Sequence, residues 1–223
     1  MYKTGFWDIF FRNFSMPDRV DQRVGVTAAL EQDAQLMLRV KDGDAYSFEL
    51  LLDKYRRPVV NYLHRMVQNQ GIAEELAQEV FLRVYRARTN YEPTAKFTTW
   101  LFRITTHLAL NSLRDRKGEK RQHSLDVEYE DRYVFEPTDT RRNREQEMVA
   151  AARLDVVRRA IAALPEKQRA AVLMHKYEEL DYSQIAGALS CSVSAVKSLL
   201  FRAYETLRER LAHLAEDQKQ RAR

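Results

Sequence analysis

The sequence predicts an all-α protein of two small helical domains joined by an acidic, flexible linker. Three observations lead there. Apolar residues recur at the three- and four-residue spacing of amphipathic helices. No segment of useful length alternates apolar and polar residues as a half-buried strand would. Six Gly and five Pro in 223 residues are too few for the tight turns of an all-β chain. At about 100–150 residues per domain, the length suits one large domain or two small ones.

The elements follow in order. Leu36 and Val40 mark one helix, and Phe48, Leu51, Leu52, Tyr55, Val59, Tyr62, Leu63 and Met66 a second. The turn Lys41-Asp42-Gly43-Asp44 separates them. A third runs from Ile72 to Arg88 with Leu76, Val80, Phe81, Val84 and Tyr85 on one face, and Tyr91-Glu92-Pro93 breaks it. A fourth starts near Thr98 and Thr99 and carries Trp100, Leu101, Ile104, Leu108, Leu110 and Leu113. The second block opens with a helix from Glu147 to Leu164, bounded by Pro165. Shorter helices follow over Glu166–Tyr177, Ser183–Leu189 and Val193–Leu214. The predicted organisation is an N-terminal extension (1–32), a first domain (33–117), a linker (118–146), a second domain (147–214) and a tail (215–223).

Charge is distributed unevenly along this layout. The chain carries 37 Lys and Arg against 32 Asp and Glu, a net charge of +5. Residues 96–121 alone are +5, with Lys96, Arg103, Arg114, Arg116, Lys117, Lys120 and Arg121 facing only Asp115 and Glu119. Residues 124–140 are −5 and include Pro137, which marks them as linker. Aromatic and hydroxyl groups interleave with the cations around Lys96-Phe97-Thr98-Thr99-Trp100-Leu101-Phe102-Arg103. That mixture suits single-stranded nucleic acid, whose bases stack on rings and whose phosphates attract cations. It also suits an ordinary core helix, in which Trp100, Leu101 and Ile104 are simply buried. Lys96, Thr98, Thr99, Arg103, His107, Asn111 and Arg114 are the candidate contacts.

The most specific local pattern is a wingless helix-turn-helix over 181–203. Asp181 followed three residues later by Gln184 forms a capping box. Ile185, Ala186 and Leu189 supply the buried face of a short first helix, with Ala186 small enough for a close crossing. Ser190-Cys191-Ser192 makes the turn, with Cys191 as a small packing residue. Val193, Val196 and Leu200 seat the second helix, leaving Ser194, Lys197, Ser198 and Arg202 outward. Short hydroxyls near a helix N-terminus can approach bases or phosphates, and the cations neutralise backbone charge. An ordinary helical hairpin with a solvated polar face has the same outline.

Composition narrows the classes further. One Cys excludes an intramolecular disulfide and a multi-cysteine zinc site, and fits a reducing, cytoplasmic setting. No apolar run reaches the about 18 residues of a membrane span. His64, His107, His123, His175 and His213 have no metal-ligand spacing, and neither a Gly-rich phosphate loop nor a nucleophile elbow occurs. No enzyme activity, cofactor, metal or small-molecule substrate is therefore expected. In the extension, Phe6, Trp7, Ile9, Phe10, Phe11 and Phe14 form an apolar cluster. It is either a partner or membrane-surface contact, or untranslated sequence ahead of a start at Met16.

With both blocks in view, the chain resembles bacterial RNA polymerase sigma factors of the extracytoplasmic-function type over about residues 33–214. Gly43-Asp44 before Phe48 is similar to the opening helical pair of the family's promoter-melting domain. The run Ala73-Glu74-Glu75-Leu76-Ala77-Gln78-Glu79-Val80-Phe81-Leu82-Arg83 is similar to its polymerase-binding helix. Phe97-Thr98-Thr99-Trp100-Leu101-Phe102-Arg103-Ile104 resembles the motif preceding its −10 helix. In the second block, Leu164-Pro165, Tyr182-Ser183-Gln184-Ile185-Ala186, Val196-Lys197-Ser198 and Phe201-Arg202-Ala203 resemble the domain that reads the −35 element. The chain departs from the pattern at His107, Asn111, Ser194-Ala195 and Leu199, where the family often has Asn, Asp, Gly-Thr and Arg.

The resemblance implies a protein that binds core RNA polymerase through Glu75, Leu76, Gln78, Glu79 and Arg83 and directs promoter recognition and melting, in stress-response genes. A flipped base of the melted −10 strand would enter near the loop Tyr91–Thr99, while the second domain docks on duplex −35 DNA. The linker would thread the polymerase's RNA exit path. It also implies an inhibitory anti-sigma factor, in this family often membrane-anchored. The rival reading is a stand-alone helix-turn-helix regulator, which needs a sensing domain that the first block does not resemble.

Overall fold

The computed structural model describes residues 31–122 and 144–221, and these residues are helical with no strand among them. The first block contains α1 (Gln32–Lys41), α2 (Ala45–Val67), α3 (Gln70–Arg86), a 3-10 turn (Ala87–Asn90) and α4 (Phe97–Gln122). The second contains α5 (Arg144–Ala162), α6 (Glu166–Lys176), α7 (Tyr182–Leu189) and α8 (Val193–Arg221). Every predicted helix is present. α4 runs past Lys117 to Gln122, and α5 begins at Arg144. Both ends of the predicted linker are therefore helical; the Arg, Lys, Glu and Gln after Leu113 are good helix formers that carry the helix through Gly118. The acidic stretch 124–140 and the extension 1–30 lie outside the described residues.

Helix boundaries follow side-chain chemistry. Gly43 turns the chain at φ +99°, a conformation costly for residues with a Cβ. Asp44 then caps α2, accepting the Ser47 N–H at 3.3 Å and the Ser47 hydroxyl at 2.7 Å, and these bonds hold its carboxyl below the usual carboxylate range. Asn69 caps α3 by accepting the Ile72 N–H at 3.0 Å. α4 receives a long-range cap, since the Glu31 carboxylate accepts the Phe97 N–H at 3.0 Å. That bond also ties the start of α1 to the start of α4.

The core of the first block is built from Met37, Leu51, Val59, Tyr62, Leu63, Met66, Val80, Phe97, Leu101 and Phe102, all essentially without solvent contact. Two buried polar links fix the register. Asp33 accepts bonds from Lys54 at 2.6 and 2.7 Å and from the Tyr55 hydroxyl at 2.6 Å; burial and that carboxylate together raise the Tyr55 phenol. The Tyr62 hydroxyl pairs with Thr106 Oγ1 at 2.8 Å. In the second block, Ile161, Leu164, Leu173, Leu180, Ile185, Val196, Leu200, Ala203 and Leu207 make the core. Val193 departs from expectation and is 41% exposed, because the first residue of α8 projects beyond the helix it was expected to seat.

The two blocks pack directly on one another, and both belong to one structural unit up to Leu211. α6 and α7 lie against α2 and α4. Five consecutive α6 residues, Ala170 to Met174, are fully buried, so the helix is covered on every side. At its end, Glu178 is half-buried, and burial pushes its carboxyl up to about 7 against the opposing pull of Arg65; Tyr62 is the other α2 group it acts on. The structure with Glu178 buried therefore favours the protonated carboxyl. Its contribution is complete below the ordinary carboxylate range and is lost as pH rises through about 7. Thermal melting between pH 6 and 8 should show a fall in Tm that Glu178→Gln reduces; the same fall in both proteins would remove Glu178 as its cause.

Candidate nucleic-acid and partner interfaces

α4 divides its surface. Lys96, Arg103, His107, Asn111 and Arg114 fall on one stripe at helical spacing. Arg103, Asn111 and Arg114 are exposed and His107 half-buried. Arg114 donates to Asn111 Oδ1 at 3.1 Å, presenting the amide and guanidinium as a unit. The other two predicted contacts separate from this stripe. Thr98 is half-buried on the far side of the helix, and Thr99 is only 8% exposed, covered by α7. Beside the stripe, Tyr91, Phe97 and Trp100 cluster at centroid distances of 5.0 to 6.4 Å. Trp100, expected in the core, is half-buried at the rim of this cluster. The Tyr91 hydroxyl is buried with no hydrogen-bond partner among the described residues. Burial pushes its phenol up to about 12, with Glu31 and Asp33 adding to the shift.

The second block forms the predicted helix-turn-helix. Asp181 accepts the Gln184 N–H at 2.8 Å and Gln184 accepts the Asp181 N–H at 2.9 Å, the complete capping box. Ser190 takes the left-handed conformation at φ 52°, Cys191 N–H closes on Ala186 O, and the axis bends by 100° into α8. That is the angle range of DNA-binding helix pairs. Cys191 is half-buried in the turn. Ser192 caps α8 through the Ala195 N–H at 3.2 Å. Ser194, Lys197, Ser198 and Arg202 are all exposed on one face. Ser198 donates to Ser194 O at 3.0 Å, which leaves its oxygen lone pairs outward. Behind this face, His175 Nδ1 meets the Tyr204 hydroxyl at 3.0 Å, tying α6 to α8. Burial lowers the His175 pKa, with Lys176 adding to the effect.

Phe201 was missed as a contact. It is 53% exposed and projects from the middle of the Ser194–Arg202 face. The signal was present: it is an apolar residue out of phase with Val196, Leu200, Ala203 and Leu207.

α3 presents a third surface. Glu75, Gln78 and Arg83 are exposed, Glu79 and Leu76 half-buried, and Arg83 pairs with Glu79 at 2.6 Å. Leu76 turns toward the domain, while Leu82 takes the centre of the Glu75–Gln78–Glu79 face and is 48% exposed. Leu82 breaks the buried stripe of Ala73, Ala77, Val80, Phe81 and Val84, which again made it visible in the sequence. Tyr85, expected on the buried face, is exposed; it stacks on Phe48 at 5.1 Å and carries the Arg88 guanidinium at 4.0 Å.

Each block matches a known family. Residues 51–119 match the family model for Sigma-70 region 2, and residues 154–207 match that for Sigma-70 region 4. The RNA polymerase sigma-H factor of Pseudomonas aeruginosa is 36% identical, over 82% of this chain and 96% of its own. The extracytoplasmic-function sigma-E factor of Escherichia coli K12 is 33% identical, over 78% and 92%. Among solved structures, the sigma factor RpoE of Bartonella quintana in complex with the anti-sigma factor NepR has a TM-score of 0.60 at 19% identity, covering 74% of this chain and 96% of its own. The likeness at that identity is one of fold.

The family that both blocks match is one of transcription initiation factors, not enzymes. The chain belongs to the extracytoplasmic-function sigma factors of bacterial RNA polymerase. It directs the polymerase to promoters.

The capping box supports the whole reading head, because α7 has only eight residues. Asp181→Ala should cost about 1 kcal/mol in urea unfolding, whereas Asp181→Ser should cost a few tenths. Equal losses in the two variants would show that the carboxylate acts otherwise than as a cap.

Proposed function

We propose that three surfaces divide the work of promoter recognition. The face of Ser194, Lys197, Ser198 and Arg202 docks in the major groove of the −35 element, with Phe201 packing on a thymine methyl. The α4 stripe of Lys96, Arg103, His107, Asn111 and Arg114 holds the melted −10 strand. The cations follow phosphates, and Trp100, half-buried at the rim of the Tyr91–Phe97 cluster, supplies aromatic surface for an unstacked base. Glu75, Gln78, Glu79 and Arg83 surround Leu82, with half-buried Leu76 at the edge, and bind a basic face of core polymerase, an apolar centre inside a charged rim. The observation that carries this reading is the exposed polar face of α8, presented by a capped helix pair at 100°.

The partners follow. The protein works with the polymerase in the cytoplasm, on stress-response promoters. It is held in check by an anti-sigma factor, for which we favour a membrane-anchored protein. Support comes from the sequence family and from the complex of one structural relative, RpoE, with the anti-sigma factor NepR. Run-off transcription with purified core polymerase tests the whole reading: specific transcripts that depend on this chain are expected, and their absence on all cognate promoters overturns it.

Lys197→Ala and Arg202→Ala should each weaken −35 duplex binding and flatten its logarithmic salt dependence by about one unit, the signature of one lost phosphate contact. An unchanged salt slope in both would reject the phosphate assignment. Leu82→Ala, and separately Gln78→Ala with Glu79→Ala, should lower affinity for core polymerase by about tenfold while leaving −35 binding intact. Normal competition for core by all of these variants would place the interface elsewhere.

A further inference from the structure

We propose that α1 is a splint for the loop beside Trp100, where the unstacked −10 base is received, and that Glu31 and Lys41 at its two ends are positioning residues for promoter melting. The inference rests on the assignment of the base to the Trp100 surface given above.

Helix α1 lies ahead of residues 51–119, the span of the region 2 match, yet it holds both ends of the loop between the 3-10 turn and α4. At one end the Lys41 ammonium donates to the Tyr91 carbonyl at 3.2 Å. At the other, the Glu31 carboxylate accepts the Phe97 N–H at 3.0 Å. Between these anchors Glu92, Thr94, Ala95 and Lys96 are exposed, with an internal bond from the Thr94 N–H to the Glu92 carbonyl at 2.8 Å. A third group of α1 acts beneath the rings. Asp33 accepts the Tyr55 hydroxyl at 2.6 Å, and the Tyr55 ring packs on Phe97 at 5.4 Å. Trp100 in turn meets Tyr91 at 5.0 Å and Phe97 at 5.8 Å. Both rings that frame Trp100 are thus held by α1: Tyr91 through Lys41, and Phe97 through Glu31 and, by way of Tyr55, through Asp33.

The anchors are themselves rigid. Ala34, Met37 and Val40 bury the inner face of α1, which packs on α2 and on the 3-10 turn, so its two ends move with the core of the block. The Glu31 carboxylate also fills the N-terminal end of α4, where free N–H groups otherwise draw a phosphate. That leaves the DNA backbone to the cations of the α4 stripe. A base drawn out of its stack loses stacking and pairing that contacts in its new site must offset. A loop ordered only on binding would lose part of that gain to its own conformational entropy. With both ends held in the free chain, more of the gain appears as affinity for the base. Releasing one anchor therefore lowers discrimination for the base without removing any group that touches DNA.

Fork-junction promoter probes bound by the holoenzyme of this chain and core polymerase test the splint. An abasic nucleotide is placed in turn at each −10 position of the unpaired strand. In the wild type, loss of the base at one position should weaken binding by about tenfold, the size of one base–aromatic stack. Glu31→Ala and Lys41→Met, which each remove an anchor, should cut that penalty to about threefold and leave affinity for −35 duplex and for core polymerase unchanged. Glu31→Gln and Lys41→Arg keep an acceptor and a donor and should restore the full penalty. A penalty unchanged in Glu31→Ala and Lys41→Met overturns the proposal. So does a penalty lost equally in Glu31→Gln and Lys41→Arg, or one that falls only together with −35 binding and Tm, as a merely structural role would give. No penalty at any position in the wild type rejects the base surface itself and the splint with it, so the two failures are told apart.

Discussion

One helix, α4, has to satisfy three different surroundings, and the rest of the molecule is arranged about that constraint. At 3.6 residues per turn, Leu101, Phe102, Thr105, Leu108 and Ala109 enter the first block and are buried there. Thr99 and Thr106 turn toward the second block. Arg103, Asn111 and Arg114 are left in water. The three sides cannot be changed independently, since rotating the helix to expose one buries another. The Glu31 cap on Phe97 and the Tyr62–Thr106 bond set this rotation near the start of the helix and again two turns later.

Thr106 sits where two of these surroundings meet. Its hydroxyl serves Tyr62 of α2 within the block and approaches Met174 of α6 outside it. α6 is correspondingly unusual for so short a helix, because five residues in succession have no solvent contact. A domain of about sixty residues buries only about 60% of its chain's surface, and α2 and α4 of the first block add cover to α6. The fully buried run is thus the packing record of the interdomain contact. Arg169 and Glu178, polar groups at the two ends of the same seam, make the contact responsive to charge rather than permanently apolar.

Much of this was legible in the residues. Apolar spacing located all eight described helices, because each has a core face that its sequence must repeat; the exception in bounds is α8, which runs to Arg221 through the predicted tail after Leu214. The Asp181–Gln184 box, the turn at Gly43-Asp44 and the outward set Ser194, Lys197, Ser198 and Arg202 depend on neighbours three or four residues away, and all appear as read. Exposed apolar residues were harder. Leu82 and Phe201 are out of phase with their buried stripes, which marks them, but composition invites any leucine or phenylalanine into the core. Val193 and Tyr85 show the reverse error, assigned inward by type although helix-end position and rotation leave them in water.

The sequence by itself determined the class of fold, the family, the order of the two domains and which helix faces carry charge. Those are local properties, set by periodicity, capping and side-chain type within a few turns of helix. Tertiary structure alone decided that Thr99 is covered by α7, that Arg169 caps a helix of the other block, and that Glu178 is half-buried within the field of Arg65. Each depends on which surface of one block meets the other across more than eighty residues of chain. No spacing rule within a helix encodes that meeting, since it is selected by the fit of Gly187 to Thr99 and of α6 to the end of α2.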